Sequence, residues 1–404
     1  MQVTVCGGGN AAHALVGLLA AQGSHLVNVY LSFADEAQRW QAGIASQGGI
    51  EVLGQDSAHL GRPQLVSCDP AQVLPGSQLV LLALPAFAHQ AVLEQIAPYL
   101  DDGAWLGAIP ARGAFDLCAR DALGEKCFSL TLFGLQSLPW ACRITQYGRS
   151  VKILGTKARL DLAAWPTPRA AALAGQLGQL LGIRLDPAAG FLSLTLAGTG
   201  QLIHPGILYG RFQDWDGRPL AEAPLFYQGV DVRAAAVLEQ MSAEIQQLRR
   251  ALEQRFPTLD LSAVRPLAEW LQRSYPDDIL DSSSLQAMFN TNRSYAGLQV
   301  PVRTQAARQT AEGPRSPGLL PDFKSRYLSE DVPFGLVPTR GIAELAAVAT
   351  PTIDRVILWA QARLDQEYLV AGKLCGRHLM ATRAPQRYGL HSLEQLADRI
   401  GLPA

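Results

Sequence analysis

The stretch Val3-Thr4-Val5-Cys6-Gly7-Gly8-Gly9-Asn10-Ala11-Ala12-His13 constrains the fold of this chain more than any other. An apolar strand runs into a glycine turn, and a helical pattern starts at Asn10. The small residues stand in a GxGxxA arrangement: Gly7, Gly9 and Ala12. Gly7 allows a tight turn, Gly9 lets backbone approach a pyrophosphate where a Cβ would intrude, and Ala12 lets the helix pack on the strand. The unpaired N–H groups of Asn10 and Ala11, at the positive end of the helix dipole, would then face phosphate. A strand before the turn and a helix after it make this a dinucleotide-binding fingerprint.

The 404 residues suggest two domains, and 48% hydrophobic with 17% charged residues fit large cores. A formal net charge of −1 gives no global field to attract nucleic acid or an acidic membrane. Cys6, Cys68, Cys118, Cys127, Cys142 and Cys375 form no CxxC pair, which argues against a disulfide framework and structural zinc. No metal site is expected. No apolar run reaches membrane-spanning length, and Met1 leads almost directly into the first strand. The expectation is a reduced, soluble, cytoplasmic protein.

Residues 10–22 read as the first helix and Leu26–Leu31 as the second strand. An acid at the end of that strand would hold the adenosine ribose diol. Asp35 falls a few residues later, and suits equally an N-cap for a helix over Glu36–Trp40. Arg39 nearby leaves a 2′-phosphate open, so NAD is preferred over NADP without being fixed. Residues 49–66 read as a hairpin-like insertion. Gln78–Leu84 is a continuous apolar run, as in a strand buried on both faces. It ends at Pro85, in a loop where ligands of doubly wound sheets bind. Ala104–Ile109 repeats the pattern, and further strands are expected at 127–133 and 150–155. The fold class is α/β: a doubly wound, Rossmann-type parallel sheet followed by a mainly helical second domain. The boundaries are 1–198 for the dinucleotide-binding domain and 199–404 for the helical one. There Leu238, Met241, Ile245, Leu248 and Leu252 make one apolar stripe on a long helix. Residues 305–321, with scattered Gly and Pro, read as a loop, and helices resume at 340–350 and 353–366.

Three stretches hold unusual polar groups. His204 lies just past the domain junction, where a cleft between domains would open. An imidazole titrates near neutrality, so it can move a proton during turnover, or it can be structural. In Lys324–Asp331, Arg326 could fork onto a carboxylate and Asp331 could hold a histidine's second nitrogen; otherwise the stretch is a solvated charge cluster. Leu135–Arg143 falls late enough in the first domain to line a substrate, or is a strand-to-loop passage around a packed Trp140.

These residues resemble the octopine dehydrogenases, of the opine dehydrogenase family. The matching segments are Cys6–Asn10 with His13, Phe33–Ala37 with Arg39-Trp40, Pro85–His89, Leu138–Ile144, His204-Pro205, Ala223–Gly229, Arg326-Tyr327-Leu328 with Glu330-Asp331, and Pro385–Gly389. They span nearly the whole chain in order. The resemblance implies NADH-dependent reductive joining of an amino acid's amine to the keto carbon of pyruvate, through an imine reduced by hydride. It implies a catalytic pair in His204 and Asp331, and a keto-acid carboxylate bound by Arg326. It places Trp270, Gln136 and Cys142 in the substrate site. A monomer or weak homodimer is expected.

Two departures bear on the amine. Family members that use arginine carry a glutamate where this chain has Gln136, and a neutral amide where it has Arg112. Both changes make the pocket more positive, so the resemblance points to a small neutral or anion-ended amine such as taurine, alanine, glycine or β-alanine, giving tauropine- or alanopine-like products. The competing class is an NAD(P)-dependent hydroxy-acid or sugar-phosphate dehydrogenase of similar architecture. Many of these use a catalytic lysine from the helical domain; here that half holds only Lys324 and Lys373.

Overall fold

A computed structural model describes residues 1–54, 57–305, 308–310, 313–315 and 318–401. The chain divides into two compact units. The first comprises Met1–Gly198, Pro257–Val264 and the segment beginning at Arg399; the second comprises Thr199–Phe256 and Arg265–Asp398.

The first unit is built on twelve strands: β1 (Gln2–Cys6), β2 (Leu26–Tyr30), β3 (Ile50–Leu53), β4 (Ala58–Gly61), β5 (Leu65–Ser67), β6 (Leu79–Leu82), β7 (Trp105–Ala108), β8 (Thr131–Leu135), β9 (Trp140–Gln146), β10 (Ser150–Thr156), β11 (Arg159–Trp165) and β12 (Arg184–Pro187). Eight form one sheet in the order β12-β11-β8-β7-β6-β1-β2-β5. β5 to β8 run parallel with β1 and β2, as the continuous apolar runs predict, and β6 is buried throughout. β11 joins β8 antiparallel and carries β12 with it, so the far edge of the sheet reverses direction. The strand order switches between β1 and β6, and the loops after these two strands are therefore where a doubly wound sheet binds ligand. The insertion expected at 49–66 holds the antiparallel pair β3–β4, which continues a second sheet, β4-β3-β10-β9. The strand expected over 127–133 starts only at Thr131, because Gly124–Ser129 turns as a 3₁₀ helix.

In the second unit the helix Thr199–Phe212 crosses the long helix Val232–Arg255. The stripe Leu238, Met241, Ile245, Leu248 and Leu252 is buried. Gly206 and Gly210, one helical turn apart, make the crossing close. A Cβ on Gly206 would stand 2.6 Å from Leu238 Cδ2, and one on Gly210 would stand 2.5 Å from Ala234 Cα. Asp231 caps the long helix by accepting from Ala234 N at 2.8 Å. The buried Glu244 accepts from Thr352 N at 2.6 Å and Ile353 N at 2.9 Å, which satisfies the start of the helix Pro351–Leu364. The loop expected over 305–321 falls partly outside the described residues. Its described ends are paired strand: Val302–Gln305 runs antiparallel to Gly318–Pro321, so the loop expectation is corrected there. No helix among the described residues is long and apolar enough to cross a membrane.

Candidate active site

The glycine loop is positioned by β1 and β6. Gly7 N donates to Tyr30 O at 2.9 Å and Ala83 N to Cys6 O at 2.9 Å, which ties the ends of three strands together. Gly7 sits at φ +126°, and a Cβ there would lie 2.5 Å from Ala83 O, so the turn itself demands glycine. Gly9 differs. Its φ of −83° and ψ of −171° suit any residue, and a Cβ on it would meet no atom of the protein within 4 Å. Nothing among the described residues requires glycine at 9; an incoming phosphate would, and in this respect the loop fits a dinucleotide. The helix α1 (Asn10–Ala21) starts directly after it, with Ala12 buried.

Two side chains staple this loop to the β9–β10 hairpin. Asn10 Oδ1 accepts from Ile144 N at 2.8 Å. His13 is fully buried; its Nδ1 lies 2.9 Å from Gly9 O, and Gly148 N donates to its Nε2 at 2.9 Å. A carbonyl only accepts and an amide N–H only donates, so the ring is the neutral Nδ1–H tautomer. Burial pushes this imidazole down to about 4, against the opposing pull of the Gly9 carbonyl.

Asp35 precedes α2 (Glu36–Gln47), a longer helix than the expected Glu36–Trp40, and its side chain makes no capping bond. It pairs instead with Arg39 at 3.8 Å, both side chains more than half exposed, and the Arg39 guanidinium lies 4.1 Å from the centre of the Tyr147 ring. Pro85 opens the helix Ala86–Ile96 after β6. Three of the expected substrate residues belong to the first unit. Arg112 is half-buried at φ +61°. Gln136, buried at the end of β8, donates through Nε2 to Ala197 O at 2.7 Å. Cys142 packs in the hydrophobic core of the unit, and burial raises its thiol to about 11. That is a packing place, and the substrate role given to Cys142 gains no support from it.

The second unit gathers the remaining polar groups. His204 and Asp331 stand 127 positions apart in the chain and meet at 2.7 Å, Nδ1 to Oδ2. Gly335 makes this approach possible, since a Cβ on it would stand 2.4 Å from Gln201 Cβ, one turn before His204. A π-helical turn, Val332–Leu336, follows Asp331, with Leu336 N donating to Asp331 O at 3.0 Å. The Asp331 side chain is 1% exposed and that of His204 16%, so the stretch around 331 is no solvated cluster. Glu330 is buried as well, and Arg326 Nε donates to its Oε2 at 2.5 Å while the Arg326 side chain stays 57% exposed.

Sequence reasoning missed two aromatic partners of His204. Tyr327 stacks on the imidazole at 4.1 Å between ring centres and 8° between planes. The Tyr227 hydroxyl lies 2.8 Å from Nε2. Both stood inside matching segments, Ala223–Gly229 and Arg326-Tyr327-Leu328. Trp270 is buried. It meets Tyr275 edge-on at 6.2 Å, Tyr275 meets Tyr295 at 5.1 Å, and Tyr295 stacks on Tyr227 at 4.1 Å. Trp270 thus reaches the histidine through a row of tyrosines. Among the described residues no cluster of three or more His, Cys, Asp or Glu could hold a metal ion.

Comparison with known proteins shows the family. A family profile described as the alpha-helical domain of NAD/NADP octopine/nopaline dehydrogenase matches residues 187–364. Octopine dehydrogenase of Pecten maximus is 38% identical over 405 residues, covering 98% of each chain. Tauropine dehydrogenase of Arabella iricolor is also 38% identical, covering 98% of this chain and 99% of its own. A solved octopine dehydrogenase with NADH and pyruvate superposes with a TM-score of 0.84 at 35% identity, covering 100% of this chain and 99% of that one. The chain belongs to the octopine dehydrogenase family of NAD-dependent oxidoreductases, which act on CH–NH bonds.

Proposed function

We propose that this chain condenses pyruvate with a small neutral or anion-ended amine, reducing the resulting imine at the expense of NADH. The observation that carries the reading is the partly buried His204–Asp331 pair at 2.7 Å, with the Arg326 side chain exposed five positions before Asp331. The carboxylate accepts only, so Nδ1 of His204 carries the proton and Nε2 is the working nitrogen. Asp331 fixes that tautomer and stabilises the imidazolium when it forms. Such an acid–base group contributes roughly 10²–10⁴ in rate. Arg326, held at Nε by Glu330, offers its terminal amino groups to the keto-acid carboxylate and orients the carbonyl. In the first unit, Gly7, Gly9, Asn10, Ala11 and Ala12 would hold the pyrophosphate, with Asp35, Arg39 and Pro85 around the nucleoside. When bound there, NADH supplies the hydride.

The amine follows from charge. Gln136 brings no carboxylate, and its amide is already committed to Ala197 O. Arg112 adds a positive charge. A guanidinium-bearing substrate would lose an ion pair and meet a like charge, a cost on the order of 3 kcal/mol or more if desolvated. Taurine, alanine, glycine and β-alanine carry no such charge. Initial rates of NADH oxidation with pyruvate and each amine test this: taurine or a small amino acid should give the highest kcat/KM, and arginine as the best amine would refute it.

A further inference from the structure

We propose that the Tyr227 hydroxyl carries the proton between His204 and the substrate oxygen; this rests on the reading of His204 as the acid–base group. Both ring nitrogens of His204 are engaged, Nδ1 by Asp331 at 2.7 Å and Nε2 by Tyr227 at 2.8 Å. One face of the imidazole is covered by Tyr327, and Phe226 flanks it at 5.8 Å. The only working nitrogen therefore reaches a substrate atom through Tyr227 or by displacing it. Displacement is opposed by packing. The Tyr227 ring stacks on Tyr295 at 4.1 Å and 17°, and Phe226 meets it edge-on at 4.8 Å. Tyr295 is itself buried and seated against Tyr275. A phenol donates and accepts through one oxygen, so it can pass a proton on without leaving its stack.

The amine arrives as its ammonium and gives a proton through Tyr227 to Nε2 of His204, whose ring becomes the imidazolium. Addition of the freed amine to pyruvate, with one N–H proton passing to the oxygen, gives a carbinolamine. As its C–O bond breaks, Tyr227 gives its proton to the departing hydroxyl, which leaves as water. The imidazolium refills Tyr227 from Nε2 and becomes neutral. The nitrogen lone pair forms the C=N bond, and the positive charge passes to the iminium that hydride then reduces.

Tyr227→Phe and His204→Ala are assayed with pyruvate, alanine and NADH. Phenylalanine keeps the ring stack, so we expect an unchanged melting temperature, KM values within about threefold, and kcat lower by about 10²-fold. The solvent deuterium effect of the parent enzyme should give a curved proton inventory, with two protons in flight. An inactive His204→Ala beside a fully active Tyr227→Phe would overturn the relay and leave the histidine reading standing. Turnover in both variants would overturn the histidine reading itself. A raised KM for pyruvate with intact kcat, or a linear proton inventory, would reduce Tyr227 to a positioning group.

Discussion

His13 should make the first unit sensitive to acid through one ring. The imidazole accepts from Gly148 N and donates to Gly9 O, both at 2.9 Å. Protonation would set an Nε2–H against the Gly148 N–H inside a buried pocket, beside Trp40 at 4.3 Å. The ring titrates near 6.5 in an unfolded chain and at about 4 here, held down chiefly by burial. The folded state therefore prefers the neutral ring. Its contribution is fully present above pH 6.5 and is lost as pH falls through 4. The whole gap corresponds to about 3 kcal/mol, of which about 2.5 kcal/mol should be gone by pH 4.5. Urea unfolding of the parent and of His13→Gln, from pH 7.5 to 4.5, isolates this ring because other groups cancel in the difference. The parent's advantage should shrink by roughly 2 kcal/mol or more across that range. A difference that stays flat with pH would refute the argument.

Two further predictions concern the ligand groups. Gly9→Ala should leave the melting temperature unchanged and weaken NADH at least about tenfold, whereas Gly7→Ala should destabilise the fold, because its Cβ would lie 2.5 Å from Ala83 O; differential scanning fluorimetry with NADH titration separates them, and equal NADH affinity in Gly9→Ala would remove the phosphate from this loop. Arg326→Lys keeps the charge and loses the fork, so KM for pyruvate should rise by about 10-fold or more with the KM for the amine little changed; an unaltered pyruvate KM would take Arg326 out of the carboxylate site.

The sequence displays the first unit more openly than the second. β1, the glycine turn and α1 are contiguous, so local periodicity and turn chemistry suffice to read them. β6 and β7 are buried on both faces, and continuous apolar runs betray them. β11 and β12 escaped as reversed strands because strand direction is set by connection, not by composition. The pairing of His204 with Asp331 spans 127 positions, and no spacing rule connects them; only the resemblance did. Gly335 reads as an ordinary glycine until the Gln201 side chain is seen beside it. Tyr227 and Tyr327 were hidden for a related reason, since a tyrosine that serves a histidine is indistinguishable in sequence from one that fills a core. Cys142, a thiol in a matching segment, is buried in the core of the first unit, and sequence alone does not distinguish that place from an exposed one.

Opine formation joins two substrates and reduces the bond between them. Oxidation of NADH should therefore be measured with pyruvate alone, with amine alone and with both, and the product weighed by mass spectrometry. The expected result is oxidation only when both are present, with one secondary amine carboxylate formed per NADH consumed. Equal oxidation with pyruvate alone, yielding lactate, would contradict it.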